Sequence, residues 1–164
     1  IFKEEALHAV ALDEDNRAFQ VVEHICSIDR DVYEDPLFYW AALSSLTNST
    51  LKNQPSVGSL QLISEAQQTR LLSMFHEPVT EASREVATIV SQLQLDVDAR
   101  LVEELLSVWS LNCHAGACEG VAEIYPLTSL CSHSCWPNAD FVEGSNNSLL
   151  LEATRAIKSG DEVC

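Results

Sequence analysis

The spacing of apolar residues changes at Asn112, and this break limits the chain to a fold that is helical first and strand-rich second. Before it, apolar residues recur at three- and four-residue intervals, the period of an amphipathic helix. Phe19, Val22, Ile25 and Ile28 make one stripe. Asp35-Pro36 sets a capping carboxylate before a proline at the first helical position, opening a helix with Leu37, Trp40, Ala41 and Leu43. Leu60 to Phe75 is helical but unevenly phased, as two short helices would be. Thr80 is expected to cap a helix striped by Val86, Ile89, Val90 and Leu93. Another, after Asp98, should bury Leu101, Val102, Leu105, Leu106 and Trp109 and expose Glu103 and Glu104. Lys52 to Gly58 (KNQPSVG) has the chemistry of a surface loop. His8, His24 and His76 stand alone in this region and are expected to be structural or solvated.

After the break, short extended pieces are expected at Val121 to Tyr125, Ala139 to Glu143 and Leu149 to Ile157. Gly144-Ser145-Asn146-Asn147 supplies a hairpin turn between the last two, and Ser159-Gly160-Asp161 a second turn leading into a further strand. The fold class that follows is α+β.

The chain has 164 residues, enough for one buried core. It opens on Ile1 and stops at Cys164 in mid-pattern, as an internal piece of a longer protein would. Acidic residues outnumber basic ones 25 to 9, for a formal net charge of −16. Such a surface repels phosphate backbones, so no direct nucleic-acid partner is expected, and a lysine-rich peptide would suit it. No apolar run approaches the ~18 residues that span a bilayer, so no membrane partner is expected either.

Four of the six cysteines (Cys113, Cys118, Cys131, Cys135) lie close together, which asks for a metal or a redox explanation and a reducing compartment, nucleus or cytoplasm. Their spacings, C-x4-C and C-x3-C, lack the tight knuckles of a zinc ribbon. A second reading makes Ser132-His133-Ser134-Cys135 a turn whose backbone serves a ligand. Trp136-Pro137-Asn138 would then fix its shape, since proline sets φ and restrains the residue before it.

Four segments, in order, carry a family resemblance. Asn112-Cys113 follows the last helix. Ile124-Tyr125-Pro126-Leu127-Thr128-Ser129-Leu130 is similar to a lead-in of the form LYPxxSLxNHSC. SHSCWPN, at 132–138, resembles the NHSCxPN motif itself, and Leu151 to Val163 is similar to RAxxxIxxGEEV. Together they resemble SET domains of the SET-and-MYND (SMYD) subgroup.

The resemblance implies a SET-type α+β fold. Residues 1–110 would be a helical region preceding or inserted in the core, and 111–164 a partial SET core with its knot-forming turn. It implies an S-adenosylmethionine-dependent protein-lysine N-methyltransferase, with a lysine-containing protein or peptide, a histone for example, as substrate. By position, Asn112 would bond the cofactor's amino-acid end, and Ser132 and His133 would border the cofactor, with the His133 backbone at the adenine edge. Cys135 would be one ligand of a zinc ion whose other cysteines lie in a later segment. Ser132 stands where the family has asparagine, so a hydroxyl replaces a longer amide. The family's catalytic tyrosine would fall a few residues past Cys164, so no catalytic residue is assigned and the chain alone is expected to be inactive. The alternative is a catalytically degenerate SET-like binding or repressor module.

Overall fold

The computed structural model describes residues 1–28, 35–51, 60, 62–116, 119–144 and 147–164. Five helices occupy the middle: α1 (Arg17–Ile28), α2 (Pro36–Ser44), α3 (Glu65–Leu72), α4 (Arg84–Gln92) and α5 (Ala99–Asn112). Phe19, Val22 and Ile25 bury the stripe of α1, whereas Ile28, one turn on, is exposed. Asp35 accepts the Leu37 N–H at 2.8 Å ahead of Pro36, the expected cap. Helix α2 buries every residue from Tyr39 to Ser44, so it runs through the core rather than over it. Its Ser45 hydroxyl accepts the Nε1–H of Trp109 on α5 at 2.8 Å, which satisfies an indole with no exposed surface.

Two helical details differ from expectation. The segment 60–75 holds one described helix, α3, which Ser64 and Gln67 open with a capping box. Helix α4 is capped by Ser83, whose Oγ accepts from Val86 N, and not by Thr80. The cap has a partner that helical periodicity does not show: Glu103 of α5, expected to face solvent, accepts from both Ser83 N (2.8 Å) and Ser83 Oγ (2.7 Å). The KNQPSVG segment, 52–58, lies outside the described residues. Of the three isolated histidines, His8 bonds the Ser44 carbonyl (3.2 Å), His76 bonds the Met74 carbonyl (2.9 Å) and His24 is exposed.

Six strands form two small antiparallel sheets: β1 (Phe2–Glu5), β2 (His8–Ala11), β3 (Cys113–Ala115), β4 (Val121–Ile124), β5 (Ala139–Glu143) and β6 (Ser148–Ala153). Their orders are β1-β6-β5 and β2-β4-β3. The β5–β6 hairpin falls where the turn residues placed it; Gly144 N donates to Ser148 O at 2.7 Å, and Ser145 and Asn146 lie outside the described residues. A Cβ on Gly144 would come within 2.8 Å of the Ser148 backbone carbonyl oxygen, so the close approach favours glycine.

Reading residues 1–110 as helical is corrected at the N-terminus. Residues 2–5 pair with β6 (Phe2 opposite Leu151), and residues 8–11 with β4 (His8 opposite Ile124). Each is only four residues long and is stabilised by a partner more than a hundred positions away, which local periodicity does not register. The α+β class stands: helices pack on the β2-β4-β3 sheet through Val10, Ala122 and Ile124, and Trp40 Nε1 ties α2 to the Ala11 carbonyl at 3.0 Å.

Candidate functional site

The site begins where β4 ends. Tyr125 is buried, its hydroxyl donating to Glu123 at 2.5 Å, and the chain then turns through a short 3-10 segment at Thr128–Leu130. The start of that turn presents backbone N–H groups with no helical partner. Glu4 of β1 supplies one: its carboxylate accepts from Leu127 N, Thr128 N and Thr128 Oγ1, each at 2.8 Å. Strand β1 therefore holds the lead-in to the motif, and a buried charge is matched by three donors. Ser129 Oγ lies 2.9 Å from the Tyr125 carbonyl and 3.1 Å from that of Asn112, joining the turn to the end of α5.

The SHSCWPN turn follows and is fixed at Asn138. Its backbone N–H donates to the Cys164 carbonyl at 2.8 Å, and its carbonyl accepts from Thr154 N at 2.9 Å. Its side chain donates through Nδ2 to the Glu162 carbonyl at 2.7 Å and accepts Cys164 N at Oδ1, 3.0 Å. One buried amide thus clamps the segment 162–164 against the turn. Glu162 adds a second tie, accepting from Ser132 Oγ at 2.5 Å, and Arg155 donates to the Trp136 carbonyl at 3.0 Å. The Ser159-Gly160-Asp161 turn that delivers this segment forms as expected, with Gly160 at φ +93° and Asp161 bonded back to Lys158. The shape-fixing role expected of Trp136-Pro137-Asn138 thus falls to the Asn138 amide. Its signal was the Pro-Asn pair, in which the proline pre-sets the backbone that presents the amide.

These pieces enclose an open cavity of about 400 Å³, within the size range of small-molecule sites. Asn112, Ser132 and His133, the three expected cofactor-bordering residues, all line it, as does Val163. Asn112 is buried and gives both amide hydrogens to the protein, to Phe75 O (2.7 Å) and Val108 O (2.8 Å). Among the described residues no donor reaches its Oδ1, and no buried side-chain polar atom lacks a partner, so that oxygen is open to a ligand. Ser132 and His133 are exposed at the rim. Cys135 is exposed and does not line the cavity; its Sγ lies 3.7 Å from His133 Nε2.

His114 of β3, directly opposite Glu123 of β4, also faces the cavity. Its ring sits edge-on to Tyr125 (5.7 Å) and Phe141 (5.4 Å), and burial pulls its pKa below the ordinary histidine value, against the opposing pull of Glu4 and Glu123. Burial raises the Cys131 thiol, with the charges of Glu4 and Cys164 adding to it. Cys26, Cys131, Cys135 and Cys164 are free thiols. Among the described residues no group of three or more His, Cys, Asp or Glu converges as a metal site, and Cys118 lies outside them.

A family model described as SET domain matches residues 10–164. The protein-lysine N-trimethyltransferase SMYD5 of Gallus gallus is 48% identical over 81 residues, covering 49% of this chain and 16% of that protein. The mouse (Mus musculus) protein of the same name is 35% identical over 78 residues, 47% of this chain and 16% of its own length. The matched stretch is thus a small part of each relative. It agrees with the architecture, helices packed with two small antiparallel sheets beside a clamped SHSCWPN turn, and this chain belongs to the SET domain family.

Proposed function

We infer that this chain forms the S-adenosylmethionine-binding part of a protein-lysine N-methyltransferase. The observation that carries the reading is the convergence of three sequence-distant segments on one cavity: the end of α5, the SHSCWPN turn and the strap at 162–164. The curated relatives are named as protein-lysine N-trimethyltransferases, which supports the same chemistry.

The residues fit the cofactor. The open Oδ1 of Asn112 would accept from the α-ammonium of its amino-acid end, because both Nδ2 hydrogens are committed elsewhere. Ser132 and His133 would border it at the rim. When bound, the cofactor supplies an electrophilic methyl on a sulfonium. The chain's own contribution is to hold its ligand in one pose, with Asn138 and Glu4 keeping the two walls in register, so that alignment rather than acid–base chemistry supplies the rate. An incoming lysine, ~10.4 in water, is also driven toward its neutral form by desolvation in such a cavity.

The substrate in this reading is a lysine-bearing protein segment, a histone tail among them, drawn by the net charge of −16, which equally disfavours nucleic acid. Zinc belongs to the proposal through Cys135 alone, an exposed thiol beside His133; its remaining ligands would come from outside residues 1–164. Nuclear or cytoplasmic residence goes with the free thiols. Calorimetric titration with S-adenosylmethionine tests the reading: saturable binding, weakened by Asn112→Leu, supports it. Absence of binding in the folded chain would point instead to a degenerate SET-like module.

A further inference from the structure

We propose that His114 selects the charge of what the cavity holds: as neutral imidazole it admits an organic cation such as a sulfonium, and as imidazolium it expels it. The proposal deepens the cofactor reading above and rests on it.

The placement of the ring carries the argument. His114 lies on the short strand β3, opposite Glu123, and lines the same cavity as Asn112, Ser132 and His133. Tyr125 and Phe141 hold it edge-on from two sides, so the ring has little freedom to swing out of the wall. Among the described residues no hydrogen bond reaches either ring nitrogen, and none of the buried polar side-chain atoms is unpartnered. Its nitrogens are therefore accessible on a residue that lines the cavity, and no protein hydrogen-bond partner among the described residues takes up a proton it gains.

The surrounding titratable groups are Glu123 and Tyr125 at β4, Glu4 on β1, Asp140 on β5, and the cavity-lining cysteines 113, 131 and 164. The carboxylates of Glu4 and Glu123 would draw a cation toward this wall, yet they do not fully offset the burial that keeps the imidazole neutral. At neutral pH the wall is thus acidic behind an uncharged ring. Acidification adds one positive charge at its surface, and two like charges at cavity distances repel strongly in a partly desolvated site.

S-adenosylmethionine and S-adenosylhomocysteine differ by one methyl and one positive charge, so they isolate this effect from every other consequence of pH. In calorimetric titrations near pH ~7 and pH ~5, the affinity for the sulfonium should fall several-fold more than that for the thioether. His114→Phe and His114→Gln should each remove the difference while still binding both ligands. Linkage demands the reciprocal effect: the His114 ring-proton titration, followed by NMR in the unmutated chain, should move to lower pH with the sulfonium and stay in place with the thioether. The NMR result decides the matter if neither variant folds. Equal losses for the two ligands, or a difference that survives both substitutions, overturns the role of His114. Failure of both ligands to bind at either pH overturns the cofactor reading, and this inference with it.

Discussion

Replacing Asn138 by alanine should release the strap at 162–164 and loosen the SHSCWPN turn together. The buried side chain makes two hydrogen bonds, to the Glu162 carbonyl at 2.7 Å and from Cys164 N at 3.0 Å. Each is worth about 1 kcal/mol net, and stranding a half-buried backbone partner adds a further fraction, so the loss should be roughly 2–3 kcal/mol. With a urea slope of about 2 kcal/mol/M, the unfolding midpoint should drop by about 1 to 1.5 M. Because Val163 and Cys164 line the cavity, S-adenosylmethionine binding should weaken in the same variant. Urea melts with hydrogen exchange at residues 162–164 measure both effects. A midpoint within about 0.25 M of the unmutated chain, with unchanged exchange at those amides, would refute the clamp.

Ser132→Asn should tighten S-adenosylmethionine binding by roughly 1 kcal/mol in calorimetry, because one amide hydrogen can keep the Glu162 bond while the other faces the cavity. Glu4→Gln should destabilise by about 1.5–3 kcal/mol in urea melts, since three donors lose a charged acceptor. Stability should fall on acidification below pH ~6.5, because burial depresses His8 and His114 in the folded chain and the unfolded chain then binds more protons. The loss is absent above the unfolded value and grows as pH falls toward the folded ones; His8→Gln should flatten the dependence in paired melts near pH ~7.5 and ~5.5.

The sequence disclosed those features whose cause is local. Asp35 before Pro36, Asp98 ahead of α5 and the β5–β6 turn residues act on backbone within four positions, and the structure puts each where it was expected. The cap of α4 was misplaced because Thr80 and Ser83 are equally plausible acceptors locally, and what distinguishes them is Glu103, twenty residues on. Strands β1 and β2 escaped because FKEE and HAVA become strands through their neighbours in the sheets. Glu4 escaped for the same reason: nothing around it announces a carboxylate that caps a turn at residues 127–128. The motif segments single out Asn112, Ser132 and His133, and the structure sets all three along one cavity. That Asn112 spends both amide hydrogens on Phe75 and Val108, and that His114 joins the wall, depends on tertiary packing.

Amide NMR of the isotopically labelled chain titrated with S-adenosylmethionine bears on all of this at once. The proposed site lies between the end of α5, the SHSCWPN turn and the strap. The largest shifts should therefore fall at Asn112, Ser132, His133 and Val163, with helices α1, α3 and α4 silent. Shifts centred on those helices, or none at saturating ligand in a folded sample, would contradict it.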